Sequence, residues 1–163
     1  MVELWRKIKE FIVTGFFTGY IPFMPGVFGT LIGVVIYVFV SPHPVFYYIL
    51  LIALIIIAIP LSDYAERVMF KEKNCKYIVI DEIVGYLVAM VSFHFDGGID
   101  SIRYMVIGFL LFRLFDVWKP YIIRKSMKLE GGIGIVFDDI LAGVVTNLFL
   151  QFLRLIGPSI IGF

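Results

Sequence analysis

The chain has 163 residues, 61% of them hydrophobic, with a formal net charge of +1 and a single cysteine, Cys75. Ordinary soluble domains are roughly 45–50% apolar, so this composition, with a mean hydropathy of +0.98, points to one integral-membrane domain over residues 1–163. Near-neutral charge excludes a basic stripe for nucleic acid, and one cysteine excludes an internal disulfide.

The opening stretch "MVELWRKIKEFIVTGFF" (1–17) starts basic but has no small-residue cleavage site behind a clean apolar core, so it is not read as a removable signal peptide. In the Gly/Pro-rich stretch Gly15–Thr30, Pro22 and Pro25 favour a rigid loop at the membrane surface. Apolar segments are predicted over Gly29–Val40, Val45–Pro60, Ile83–Phe95, Ile102–Trp118 and Ile140–Ile156. The turn "SPHP" (41–44) separates the first two. Several segments fall short of the roughly 17–25 residues of a spanning helix. The expected fold class is therefore all-α, a polytopic membrane helical bundle with short or tilted segments.

Basic residues orient this bundle. Arg6, Lys7 and Lys9 precede the first segment. Arg67, Lys71, Lys73 and Lys76 lie between the second and third, and Lys119, Arg124, Lys125 and Lys128 between the fourth and fifth. "SPHP" has no Lys or Arg, and "DGGID" (96–100) carries two acids, so the positive-inside rule places the basic loops in the cytoplasm. Arg103 and Arg154 fall toward the other face and are read as snorkelling. Trp5, Tyr20, Trp118 and Tyr121 sit where an aromatic belt is expected.

With this orientation the unusual polar residues converge on one membrane surface. "VIDEIVG" (79–85) puts Asp81 and Glu82 at the head of the third segment, and "VFDDILAG" (136–143) puts Asp138 and Asp139 at the head of the fifth. Helix capping accounts for an acid at a helix start, worth about 0.5–2 kcal/mol. It needs only one acid, however, and Asp116 falls near a helix C-terminus, where the dipole disfavours an anion. Two close pairs repel by roughly 4 kcal/mol per 4 Å contact at an effective dielectric of 20, a cost that a divalent cation removes. Oxygen ligands alone point to a hard ion, and Mg²⁺ characteristically joins one or two carboxylates to substrate phosphate oxygens.

In "LFRLFDVWKP" (111–120), Arg113, Asp116 and Lys119 recur every three residues and share one helix face. A local ion-pair ladder is one reading. A central charge in a membrane helix costs about 2.5–3.5 kcal/mol on insertion scales, however, and faces an interior site by default. Arg and Lys beside a carboxylate–metal cluster suit a phosphoryl group. "GGIG" (131–134) reads equally as a phosphate-cradling loop or as a flexible turn.

The motifs "PGVFGT", "IDEIVG", "FRLFDVWKP" and "GGIGIVFDDILAG", in that order over about Gly15 to Gly143, resemble the phosphatidylglycerophosphatase A family of bacterial membrane lipid phosphatases. The resemblance implies Mg²⁺-dependent removal of the terminal phosphate of phosphatidylglycerophosphate, giving phosphatidylglycerol. It also implies a multi-pass protein of the bacterial cytoplasmic membrane, with its site facing the cytoplasm and membrane lipids around it. The family's acidic and basic positions fall on Asp81, Glu82, Arg113, Asp116, Lys119, Asp138 and Asp139. Asp81, Glu82, Asp138 and Asp139 are then expected to hold metal. Arg113 and Lys119 bind phosphate with Gly26, Gly29 and Thr30, and Asp116 orients water, ligates metal or attacks phosphorus. Met24 and Val27 depart from the family's glycine loop, and Ile122 replaces a frequent proline.

Other chemistries fit less well. Cys75 is followed by "KYIVID", with Asp81 where a cysteine phosphatase needs Arg. His43 and His94 fall on the outer side, away from the acids. A transporter would distribute its acids through the membrane depth, and a scaffold would use them only as caps.

Overall fold

The computed structural model describes residues 1–73, 75–119 and 129–160, without the side chains of Val2 and of 157–160. Pro120, Tyr121, Ile122, Arg124, Lys125 and Lys128 lie outside the described residues. The described chain is all-helical: α1 (Val2–Val13), α2 (Pro25–Val40), α3 (Pro44–Tyr64), α4 (Ile80–Ala89), α5 (Ile99–Trp118) and α6 (Gly131–Ile160). A short 3₁₀ turn, Thr18–Tyr20, leads into α2, and α3 runs on through a π-helical turn, Ala65–Phe70.

Two helical stretches are long and apolar enough to cross a membrane: Pro44–Phe70, whose most apolar 18 residues have mean hydropathy 2.7, and Gly131–Ile156, where the same measure is 1.8. Their polarity is inside-out for water. Ile49, Ile52 and Ile56 on α3 and Leu148, Phe152 and Leu155 on α6 are exposed, while Thr30, Ser62 and Thr146 are buried. Such a continuous apolar exterior is stable against lipid and a liability in water. Each buried hydroxyl of Thr30 and Thr146 donates to the carbonyl four residues back, Gly26 O and Ala142 O, so it needs no outside partner.

α4 is the hub. None of its residues is exposed, and it packs against α2, α3, α5 and α6. The apolar run read as Ile83–Phe95 is helical only to Ala89, too short to span at about 1.5 Å per residue. A helix ending inside a bundle leaves carbonyls without partners, and in lipid this is costly. Here the neighbours supply them. The Asn147 side-chain amide on α6 donates to Ala89 O at 2.9 Å and to Val91 O at 2.7 Å. The Tyr47 hydroxyl on α3 donates to Leu87 O.

α4 and α6 cross at backbone contact. A Cβ on Gly143 would lie 2.3 Å from Gly85 O, and one on Gly85 would lie 2.7 Å from the Phe112 ring. Only glycine permits this approach. Gly143→Ala is expected to lower stability by about 1–3 kcal/mol through overpacking, read as a fall in the unfolding midpoint in detergent. An unchanged midpoint would show that the crossing is looser than backbone contact.

Candidate active site

Four helices contribute polar residues to one cavity of about 310 Å³, lined by Asp81, Glu82, Arg113, Asp116, Lys119, Asp138 and Asp139, with Gly26 of α2. α2 enters through Pro25, whose fixed φ suits a first helical position, after Met24 in a left-handed conformation. Asp81 and Glu82 lie in the first turn of α4 but make no side-chain cap. Asp138 and Asp139 do not begin a helix. α6 starts at Gly131, so these two acids are beyond its first turn and capping does not account for them.

Arg113 and Asp116 end α5. The Arg113 Nη1–Asp116 Oδ2 distance is 2.8 Å, and Lys119 Nζ lies 3.8 Å from Asp116 Oδ1. These cations offset the unfavourable place of an anion at a helix C-terminus. Arg113 Nη1 also donates to Thr30 Oγ1 at 3.4 Å. Gly26 makes the room: a Cβ there would lie 2.2 Å from Glu82 Oε1 and 3.1 Å from Arg113 Nη2. Lys119 follows the helix in a left-handed conformation and pairs with Asp138 Oδ2. Burial works against its charge, but Asp138, Asp139 and Asp116 outweigh burial and hold the ammonium above the ordinary lysine range.

The paired acids of α6 therefore part company. Asp138 is given to Lys119, whereas Asp139 joins Asp81 and Glu82, one oxygen of each lying within 4.8 Å of the others. Among the described residues, Asp81 Oδ1, Glu82 Oε2 and Asp139 Oδ2 are buried without a hydrogen-bond partner, as is Arg113 Nε. Buried polar groups are ordinarily satisfied, and each exception needs an explanation. Among the described residues, five carboxylates line the cavity against three cations, Lys76, Arg113 and Lys119, an excess of two negative charges when all are ionised. An all-oxygen donor set with orphaned lone pairs and that deficit fits a hard divalent cation.

Thr30 is fully buried and holds Arg113 rather than lining the cavity, and Gly29 packs against Val79. "GGIG" is neither a phosphate loop nor a flexible turn. It is the first turn of α6, with Gly132 N–H donating to Asp63 Oδ1 at 3.2 Å. Neither His43 nor His94 lines the cavity. Sequence reasoning gave no site role to Lys76, Ile78 or Ile135, which do line it. Ile135 had a signal, one helical turn before Asp138 and Asp139. Lys76 had only its place just upstream of Asp81.

The family model for phosphatidylglycerophosphatase A matches residues 11–154. A Bacteroides thetaiotaomicron protein named "Putative phosphatidylinositol-3-phosphatase" is 30% identical over 88% of this chain and 91% of its own length. Phosphatidylglycerophosphatase A of Escherichia coli is 30% identical over 87% of this chain and 81% of its own length. Phosphatidylglycerophosphatase A of Haemophilus influenzae is 40% identical over a shorter stretch, 41% of this chain and 39% of its own length. No solved structure matches. By the extent of the family match and its similarity to these relatives, the chain belongs to the phosphatidylglycerophosphatase A family and is a phosphatase.

Proposed function

We propose that the protein hydrolyses phosphatidylglycerophosphate to phosphatidylglycerol and phosphate, with Mg²⁺, at the cytoplasmic face of a bacterial inner membrane. The observation that carries this reading is the meeting of three orphaned carboxylate oxygens with Arg113 and Lys119 in one cavity. Asp81, Glu82 and Asp139 would hold the metal, which supplies Lewis-acid stabilisation of phosphate oxygens when bound. Arg113 lines the cavity, keeps a buried Nε unpartnered among the described residues, and offers a planar fork to the phosphate. Lys119 adds a mobile point charge. Both oxygens of Asp116 are engaged by cations, which favours a role in orienting Arg113 and water over one as the attacking group. In the reaction the water oxygen bonds to phosphorus, the bond from phosphorus to the glycerol oxygen breaks, and a proton goes to the departing alkoxide.

One finding favours a second substrate. The Bacteroides relative, as similar as the E. coli one, is named for a phosphoinositide, another lipid phosphomonoester. Phosphate release by purified protein from phosphatidylglycerophosphate and from phosphatidylinositol 3-phosphate, each with Mg²⁺ and with EDTA, tests both points. Faster release from the first, lost in EDTA, is expected. Preference for the inositol lipid would reassign the substrate, and full activity in EDTA would remove the metal.

A further inference from the structure

Leu4, Trp5, Ile8, Phe11 and Ile12 on α1 recur at spacings of three and four and share one face, and all five are exposed, Leu4 at 63% and Trp5 at 60%. Lys7 lies one turn from Phe11, and Lys9 one turn from Trp5, so each long edge of the stripe carries a lysine. Toward the C-terminal end of α1 the other side of the helix faces the protein. Val13 is fully buried, and the Lys9 ammonium lies 4.1 Å from the Tyr64 ring centroid at the end of α3.

Beyond α1 the backbone passes through three consecutive left-handed residues, Gly15, Phe16 and Phe17, with φ of 52°, 57° and 67°. Phenylalanine takes this conformation only under constraint. Thr14 supplies it, its hydroxyl donating to Glu10 O at 2.7 Å and accepting Phe17 N–H at 3.2 Å. The result is two outward rings, Phe16 at 56% and Phe17 at 48% exposure. Both stand edge-on to Phe11, at 4.8 and 5.3 Å between centroids, and so extend the stripe.

A twelve-residue helix with five charged side chains is too short and too polar to span a bilayer. Its exposed face is too apolar for water. We propose that α1 and the Phe16–Phe17 turn form an in-plane anchor, docked on the anionic phospholipid surface beside the mouth of the site. Exposed Lys7 along the free edge matches lipid phosphates, as do exposed Lys71, Lys73 and Lys76 on the segment whose Phe70 and Tyr77 rings pack on Tyr20. A second copy of the chain, docked stripe to stripe, would instead bring like-charged lysines together. The anchor is tied to the site because Val79 N–H donates to Val13 O at 3.0 Å, two residues before Asp81.

The test needs no turnover, so its outcome is separate from that of the phosphatase reading. The protein has two tryptophans, and Trp118→Phe leaves Trp5 as sole reporter in vesicles of defined lipid. In vesicles rich in phosphatidylglycerol, Trp5 emission is expected to be blue-shifted and shielded from acrylamide. Quenching by lipids brominated near the carbonyls should exceed quenching by lipids brominated at the chain ends, as befits a depth of about 5–10 Å. Arg6→Gln with Lys7→Gln should raise the phosphatidylglycerol fraction needed for that shift. If Trp118→Phe fails to fold, fluorotryptophan in the unaltered chain reports the same shielding by fluorine NMR. Acrylamide access in anionic vesicles would overturn the anchor, as would equal shielding in purely zwitterionic ones. Shielding that follows protein density rather than lipid charge would assign the face to a second copy.

Discussion

Asp139→Asn is expected to lose the stabilisation that bound Mg²⁺ would confer and most of the turnover, whereas Asp138→Asn is expected to keep that stabilisation. Asp139 Oδ2 is a buried, partnerless atom beside Asp81 and Glu82, while an Asp138 oxygen is already taken by Lys119. A cation bound to the folded state alone stabilises it by about 2.7 kcal/mol at a hundredfold excess over its dissociation constant. Thermal unfolding in detergent, with and without Mg²⁺, reads this directly. Without the ion, Asp139→Asn should be as stable as the parent or more so, because a repelling charge is gone. Turnover should fall by about 10²-fold or more, the scale on which loss of one fixed electrostatic contact acts. An equal Mg²⁺ shift in the parent and in Asp139→Asn would place the ion elsewhere.

Arg113→Lys is the second large effect. Arg113 Nη1 serves both Asp116 and Thr30, and Nε has no partner among the described residues. A lysine offers one nitrogen, which cannot hold Asp116 and also meet a phosphate oxygen along a fixed direction. Loss of about 10²–10³-fold in kcat is expected, with little change in KM, because charge developing in the transition state loses its preorganised donor. Lys119→Arg keeps the charge beyond the end of α5 and should act mainly on KM. Steady-state kinetics of both variants on the same lipid decide the matter: equal tolerance of the two exchanges would reduce Arg113 to an ion-pair partner of Asp116.

Charge made the site legible in the sequence. In so apolar a chain, Asp81, Glu82, Arg113, Asp116, Lys119, Asp138 and Asp139 stand out one by one, and all of them line one cavity. What separates Asp138 from Asp139 was not legible. Successive residues on a helix point about 100° apart, so neighbours in sequence have different partners once α6 is docked. The end of α4 was hidden for a similar reason, since the groups that receive its last carbonyls, Asn147 and Tyr47, come from other helices far along the chain. The start of α6 depends on Asp63, which accepts the Gly132 N–H, and no local signal announces this for two adjacent glycines. Pro60 was read as the end of a segment, yet α3 continues past it and then widens into the π-helical turn.

The inward termination of α4 bears on how the enzyme meets membranes of different thickness. Spanning helices answer a thicker or thinner bilayer by tilting, at a modest cost per ångström. α3 and α6, the two helices long and apolar enough to cross a membrane, present apolar side chains outward and would take up that adjustment. α4 presents none, and its far end is fastened to protein groups. The height of Asp81 and Glu82 is thus referenced to the bundle and insulated from the lipid tails, so chain length and fluidity of the host membrane can vary while the carboxylate spacing stays constant.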